Sequence, residues 1–241
     1  MAIKYRLVAG MATMPTRSHT APLAIQSLVG QFDKFYLILN GYQQVPSWAN
    51  IPGVTPILPD NNHDYGAAGK LLGLSLEDSI DNTIYFCVDD DINYPEDFAH
   101  RLATFLKRNK KCIVGVRGSV MLPNFKSWRT DRINYSIKKR LRFKKKVDVI
   151  ATCGCAFIPS QLSFEPEKWP EKYKNCVDLY FAKLAQSQGL KRWIISRRKR
   201  WLHSIEQIQE DSIYSGLLRD ESKHVKLALE LLAMKQKKIK N

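Results

Sequence analysis

The apolar positions of this chain fall into short unbroken runs separated by stretches with helical spacing. Ile3 to Ala9, Phe35 to Leu39, Val54 to Leu58, Ile84 to Val88, Cys112 to Val116, Val147 to Ala151 and Arg192 to Ser196 read as strands. Between them, Ala21 to Val29 reads as a helix that Ser18 or Thr20 can cap, and Leu71 to Ser79 as a second. The stretch Pro95 to Lys107 places Phe98, Leu102, Phe105 and Leu106 on one face, which marks a packed helix. Val177 to Ala185 turns Leu179, Ala182 and Ala185 inward, and Asp220 to Lys240 carries a stripe of Val225, Leu229 and Leu232. Strands alternating with helices predict an α/β architecture, a central mixed, mostly parallel sheet with a helical C-terminal tail. Two regions resist this reading. Gly118 to Val147 shows no clear period and is expected to be a long excursion. Thr152 to Pro159, rich in small residues, is expected to be a loop that a ligand or another backbone can approach.

One run stands apart. Ile84-Tyr85-Phe86-Cys87-Val88 has no polar alternation, so it reads as a strand covered on both faces, and it runs straight into Asp89-Asp90-Asp91. Open α/β sheets bind ligands at the carboxyl ends of their strands. Two carboxylates about 5 Å apart at an effective dielectric near 20 repel by on the order of 3 kcal/mol, so a cation is expected there. In extended chain, Asp89 and Asp91 share a side while Asp90 points away. Carboxylate oxygens with open positions suit Mg²⁺ or Mn²⁺ held together with a diphosphate. Aspartates also cap helices, and Asp91 or Asn93 can cap the helix that begins near Pro95.

Two further loops add charge to the same edge. The first strand ends in Met14-Pro15-Thr16-Arg17, which projects a cation where a nucleotide could lie. The third ends in a polar, glycine-bearing stretch through Asp64, Gly66, Gly69 and Lys70 that opens the second helix, a favourable place for an anion. It lacks the spacing of a Walker A loop. Asp178 stands at the start of the helix after the Cys153-Gly154-Cys155 loop, where it can cap that helix and also take up a proton.

Composition narrows the picture. The 241 residues are 44% hydrophobic, enough for one large α/β domain or a domain with an appendage. No apolar run reaches the ~18 residues of a membrane span, and the first ten residues lack the apolar core of a signal peptide. The five irregularly spaced cysteines are expected to be reduced thiols in a cytosolic protein. Net charge is +15, and it is concentrated: Lys138 to Lys146 holds seven cations in nine residues, and Arg197 to Arg200 four in succession. Such patches suit nucleic acid, anionic lipid headgroups or phosphorylated substrates, and composition does not choose among them.

Taken together, these motifs resemble the GT-A nucleotide-sugar glycosyltransferases, in particular family 2-like bacterial enzymes. The resemblance covers residues 3 to 203 and rests on Met14-Pro15-Thr16-Arg17, on Asp64 to Lys70, on Asp89-Asp90-Asp91 as a DxD motif, and on Gly154-Cys155-Ala156-Phe157 followed by Asp178. It implies a Rossmann-like GT-A domain over residues 1–203 and a basic helical extension over 204–241. It also implies donor contacts from Pro15, Arg17, Asp64, Lys70, Asp89 and Asp90, with Asp60 and Asn61 near the base. The metal, Mn²⁺ or Mg²⁺, would lie on Asp89, Asp91 and His203. Gly154 and Cys155 would face the acceptor, and Asp178 would be the base of an inverting hexosyl-type transfer. The chain departs from the family at Asn40, where an acid often ends strand 2, and at Val177-Asp178, where an acidic pair is common.

The implied partners are a nucleotide-sugar donor and a saccharide or lipid-linked acceptor in bacterial surface polysaccharide synthesis, with no nucleic acid. The basic runs and the tail suggest a cytoplasmic protein held at the inner face of an anionic membrane. Two other functions remain open at this stage. A sugar nucleotidyltransferase would carry a glycine-rich loop with Arg and Lys after strand 1, and this chain has Ala12-Thr13-Met14-Pro15-Thr16-Arg17. A non-enzymatic polyanion-binding module would use the basic runs alone.

Overall fold

The computed structural model describes residues 4–205, 217 and 219–240. Its elements in chain order are β1 (Arg6–Thr13), α1 (Ala21–Gln26), β2 (Lys34–Leu39), β3 (Val54–Ile57), β4 (Thr83–Val88), β5 (Ile92–Asn93), α2 (Phe98–Arg108), β6 (Cys112–Gly115), β7 (Gly118–Met121), β8 (Arg132–Tyr135), β9 (Lys145–Lys146), β10 (Val149–Ile150), β11 (Gly154–Phe157), α3 (Val177–Ser187), β12 (Lys191–Ile194), β13 (His203–Ser204) and α4 (Ser222–Lys240).

Eight strands form one sheet in the order β3-β2-β1-β4-β11-β6-β12-β9. β1 pairs in parallel with β2 and β4, β2 with β3, and β6 with β12. β11 runs against both β4 and β6, so β4 and β6 point the same way and end on one edge. The sheet is buried on both faces, as the unbroken apolar runs require. Ile84, Phe86 and Val88 pack with α1 and α2 residues such as Ile25, Leu28, Phe98 and Leu102. Tyr85 and Cys87 pack on the other face with Leu71, Val177 and Phe181. Successive residues of β4 thus serve opposite cores.

Four expectations need correction. The stretch Thr152 to Pro159 is no loop: Gly154 to Phe157 is β11, in the middle of the sheet, with Cys155 opposite both Cys87 and Gly115. Glycine and alanine favour strands weakly, and packing overrides that preference here. A side chain at Gly154 would bring Cβ to 2.8 Å from Val116 Cγ2, so the position has room for none. Gly154 and Cys155 are buried strand residues, and the acceptor-side role expected of them does not fit.

The helix expected over Leu71 to Ser79 is instead a 3-10 segment, Gly66–Leu74, lying against β1 and β2. Its tightness follows from its glycines, since a Cβ on Gly73 would sit 2.6 Å from the Tyr36 and Tyr85 side chains. The excursion Gly118 to Val147 contains a built hairpin. β7 pairs with β8 and β10 in a small antiparallel sheet, and β9 closes the far edge of the large one. The tail helix, finally, uses a different stripe. Leu227, Ala228 and Leu231 bury against Leu179 and Ala182 of α3, while Val225 and Leu232 are partly buried and Leu229 is 47% exposed. Two stripes overlap in that sequence, and contact with α3 selects one.

All five cysteines are buried and unpaired. No described helix is long and apolar enough to cross a membrane.

Candidate active site

β4 delivers Asp89 to the edge of the sheet, and there the extended chain stops. Asp90 and Asp91 lie in a turn before β5. The alternation that would have brought Asp89 and Asp91 to one side therefore does not continue past Val88. Asp89 follows the register of Tyr85 and Cys87 onto the face that holds the 66–74 segment, where Lys70 Nζ forms an ion pair with Asp89 Oδ1. Lys70 is only 4% exposed, so it is the counter-ion of Asp89 rather than a free arm reaching for a ligand. Burial works against its charge, but the adjacent Asp89 carboxylate outweighs burial and holds the Lys70 pKa above its ordinary value; Cys87 and Asp178 add to the rise. The Tyr85 hydroxyl donates to Lys70 O at 2.7 Å and fixes the backbone from which the lysine springs.

Asp90 belongs to the other side, with Thr13 at the end of β1, Arg17 and Tyr42. Burial pushes the Asp90 carboxyl up to about 7; Asp91 and Asp89 add to the rise, and the Thr13 hydroxyl and Arg17 oppose it. Tyr42 is pushed up to about 12 by burial, with Asp90 adding and Thr13 opposing. Thr13 is 2% exposed, and its hydroxyl lies beside these groups without a hydrogen bond of acceptable geometry among the described residues. Arg17 is buried in the 3-10 turn Pro15–Arg17, whereas Pro15 is exposed at its start. The loop expected to project a free cation thus turns that cation inward.

The third component arrives from α3. Asp178 Oδ1 accepts hydrogen bonds from the Thr152 backbone N–H and from the Thr152 hydroxyl, both at 2.8 Å. These donors set the orientation of the carboxylate. Cys153, the next residue, reports how closely the charges gather. Burial pushes its thiol up to about 12, Asp89 and Asp178 add to the rise, and Arg117 and Lys70 oppose it. Four charged groups from four separate segments therefore act on one buried thiol. Tyr94 joins them, its hydroxyl accepting from Asp89 N at 2.8 Å and donating to Cys153 O at 2.8 Å.

The remaining expected residues lie further out. Asp64 is exposed; its Oδ1 accepts from Gly66 N at 2.7 Å and its Oδ2 pairs with Lys174 Nζ at 3.2 Å, so it pins the start of the 66–74 segment. Asn40, buried at the end of β2, holds the same segment, donating to Gly66 O at 2.9 Å and accepting from Tyr65 N at 3.2 Å. An amide in place of the common acid thus acts as a brace. His203 is exposed on β13, which pairs with β5 and hydrogen-bonds through Ile205 N to Asp91 O at 2.8 Å. Its ring meets Asn93 at 3.2 Å. Among the described residues, no three His, Cys, Asp or Glu side chains gather tightly enough to cage a metal ion. The expected shell of Asp89, Asp91 and His203 is therefore not assembled by the protein alone. What does fit a hard divalent cation is the chemistry of the turn: three successive half-buried carboxylates, of which Asp90 has its charge disfavoured by burial and by its neighbours, next to the unsatisfied buried hydroxyl of Thr13. Mg²⁺ and Mn²⁺ sites of that kind take their remaining oxygens from water and substrate phosphates.

Sequence reading missed Thr13, Tyr94, Thr152 and Arg117. Thr13 ends β1 and Arg117 follows β6, and strand ends of a parallel sheet are where such residues collect. Tyr94 and Thr152 carry no comparable signal, because each meets its partner only through the fold.

No protein-family model matches the sequence, and no curated protein matches it. Among solved structures, the fold is similar to that in the crystal structure of GalNAc-T7 with UDP, GalNAc and Mn²⁺. The TM-score is 0.56 at 9% sequence identity, over 88% of this chain and 46% of that one. The matched region thus spans less than half of that protein's length. The likeness establishes the architecture, a GT-A fold.

Proposed function

We propose that this protein is a glycosyltransferase of the family 2-like bacterial kind, moving a sugar from a nucleoside-diphosphate donor to a saccharide or lipid-linked acceptor in surface polysaccharide synthesis. One observation carries the reading. On a GT-A sheet, Asp89, Asp90 and Asp91 follow β4, Lys70 pairs with Asp89, and Tyr94 ties Asp89 N to Cys153 O beside Thr152, which orients Asp178 from a separate helix.

Each residue has a role in this reading. Asp91, in the turn, would hold Mn²⁺ or Mg²⁺, with His203 exposed on the neighbouring β13. The ion, when bound, stabilises the negative charge of the departing nucleoside diphosphate. Asp89, its charge already answered by Lys70, accepts a hydrogen bond from the ribose. Arg17 and Lys70 offset part of the carboxylate charge that would otherwise repel a diphosphate. Pro15 and Asp64 shape the loops on either side of the nucleotide. Asp178, oriented by Thr152, takes the proton of the acceptor hydroxyl as its oxygen bonds the anomeric carbon and the bond to the phosphate oxygen breaks. One such displacement inverts the anomeric centre. The acceptor is met on the cytoplasmic side, at or near the membrane.

A panel of nucleotide-sugars scored by thermal shift with Mn²⁺ tests the assignment. A true donor raises Tm through binding to the folded state, by ~2.7 kcal/mol of apparent stability at 100 times its Kd. If no nucleoside diphosphate or nucleotide-sugar shifts Tm with either metal, the donor site is not here.

A further inference from the structure

The two basic runs are separated by fifty residues of sequence, and the fold joins them. Leu141 and Arg197 form an antiparallel bridge, with Leu141 N donating to Arg197 O at 2.9 Å and Arg197 N to Leu141 O at 2.8 Å. On the same edge, β9 pairs Lys145 with Ile194 and Lys146 with Trp193. Lys138 to Arg140, Arg142, Lys144 to Lys146 and Arg198 to Arg200 are all exposed. Among the described residues none of them forms an ion pair. The carboxylates that answer Lys70, Lys174 and Lys235 pair with none of these cations, and Glu96 and Asp97, which line a cleft with Arg198, form no ion pair with it among the described residues; Asp97 pairs with Arg101 instead.

Two features set the face apart from an ordinary solvated surface. Phe143 stands out of it at 65% exposure, with the Arg142 guanidinium 5.2 Å over its ring. Beside it, Lys144 Nζ lies 5.5 Å from the Phe105 ring and 5.3 Å from the Trp193 ring, at the mouth of a groove of about 390 Å³. His100, Arg101, Arg108, Lys144, Phe105 and Ser196 line that groove, and no carboxylate does.

We propose that this face docks on an anionic phospholipid bilayer, with Phe143 entering the headgroup layer and the groove between α2 and β12 receiving a lipid phosphate. Each cation near an anionic bilayer favours binding, the effect dies within a Debye length, and an aromatic ring is at home at the interface. The tail helix is not part of the contact, because its apolar stripe is spent on α3. The face also lies next to the site in the chain, since Arg200 is followed closely by His203, whose strand pairs with β5 just past Asp91. A bilayer on this face would therefore hold a lipid-linked acceptor near the aspartates. That last consequence rests on the transferase reading; the docking itself does not, and it is measured without donor or acceptor.

The experiment is co-sedimentation of the full chain with vesicles of about 30 mol% phosphatidylglycerol in phosphatidylcholine, and with pure phosphatidylcholine, at about 50 and 500 mM NaCl. Binding to the anionic vesicles alone, lost at high salt, is expected. The variant Lys139→Glu/Arg140→Glu/Lys199→Glu should bind at least about tenfold more weakly, Phe143→Ser about threefold or more, and Arg108→Glu about threefold. All these side chains are exposed, and an unchanged Tm certifies that each variant is folded. Absence of binding to anionic vesicles at low salt overturns the proposal. So does equal binding by the triple variant, equal binding to neutral vesicles, or tighter binding to a short DNA duplex than to the vesicles at the same salt.

Discussion

The molecule has two charged edges, and they are built on opposite principles. At the carboxyl end of β4 the aspartates are half-buried, and each acidic charge there is held by a specific contact or repelled by its neighbours. Along β9 and at Arg198 to Arg200 the cations are exposed and form no ion pair among the described residues, while Arg197 is buried and donates to Tyr135 O and Ser136 O. Desolvation makes the difference. A charge out of water needs a particular counter-ion in a particular place, and a charge in water needs only a diffuse field. The acidic edge is therefore expected to select a small ligand geometrically, and the basic edge to respond to ionic strength and surface charge.

Substitutions at the two edges should separate these behaviours. The largest effect is expected at Asp91. Asp91→Ala should lower kcat/KM by about 10³-fold while leaving Tm nearly unchanged. A variant keeping more than a tenth of wild-type kcat/KM, a loss under ~1.4 kcal/mol, would place the site elsewhere. At Lys70 the loss should appear in folding instead. Lys70→Met strands Asp89 at a half-buried position and should destabilise by about 3 kcal/mol in urea unfolding, and Asp89→Asn added to it should return part of that loss. A change below about 1 kcal/mol would show that the pair behaves like a surface ion pair.

Asp178→Asn should retain nucleotide-sugar affinity and lose about 10²-fold in turnover, since the Thr152 donors can still hold the amide oxygen. Unchanged turnover would leave Asp178 with only its place in the first turn of α3. Asn40→Ala removes two hydrogen bonds to the 66–74 segment and should cost about 1–2 kcal/mol of stability by thermal unfolding. The smallest effect belongs to the basic edge. Lys139→Glu/Arg140→Glu/Lys199→Glu should change unfolding free energy by less than about 0.5 kcal/mol and leave transfer to a soluble acceptor intact. A clear loss there would mean that the basic edge is part of the fold or of the site.

The acidic edge was legible in the sequence because its signal is local. An unbroken apolar run followed by Asp89, Asp90 and Asp91 needs no knowledge of the rest of the chain. The internal arrangement of that edge was not legible. Alternation along an extended strand predicts that Asp89 and Asp91 converge, and a turn beginning at Asp90 ends the alternation. Lys70 reads as an anion-binding residue at a helix start, and only the packing of Gly66–Leu74 on the sheet reveals that it faces Asp89. β11 escaped because Gly154, Cys155 and Ala156 look like loop, and small side chains are what its crowded place between β4 and β6 permits. On α4 the sequence offered two apolar stripes, and the choice between them was made by α3.

The late arrival of β11 has a consequence for the making of the protein. β1 to β4 are synthesised before β11, and they can pair among themselves at once. β4 is then left with one bare edge, and the strand that covers it is not available until the chain has grown past Phe157. Non-local pairings of this kind form slowly, and an apolar strand with an open edge invites pairing with another nascent chain. The short antiparallel insertion at the centre of the sheet thus has to follow the first four strands, and until it is in place a half-made molecule exposes the very strand that later presents its aspartates.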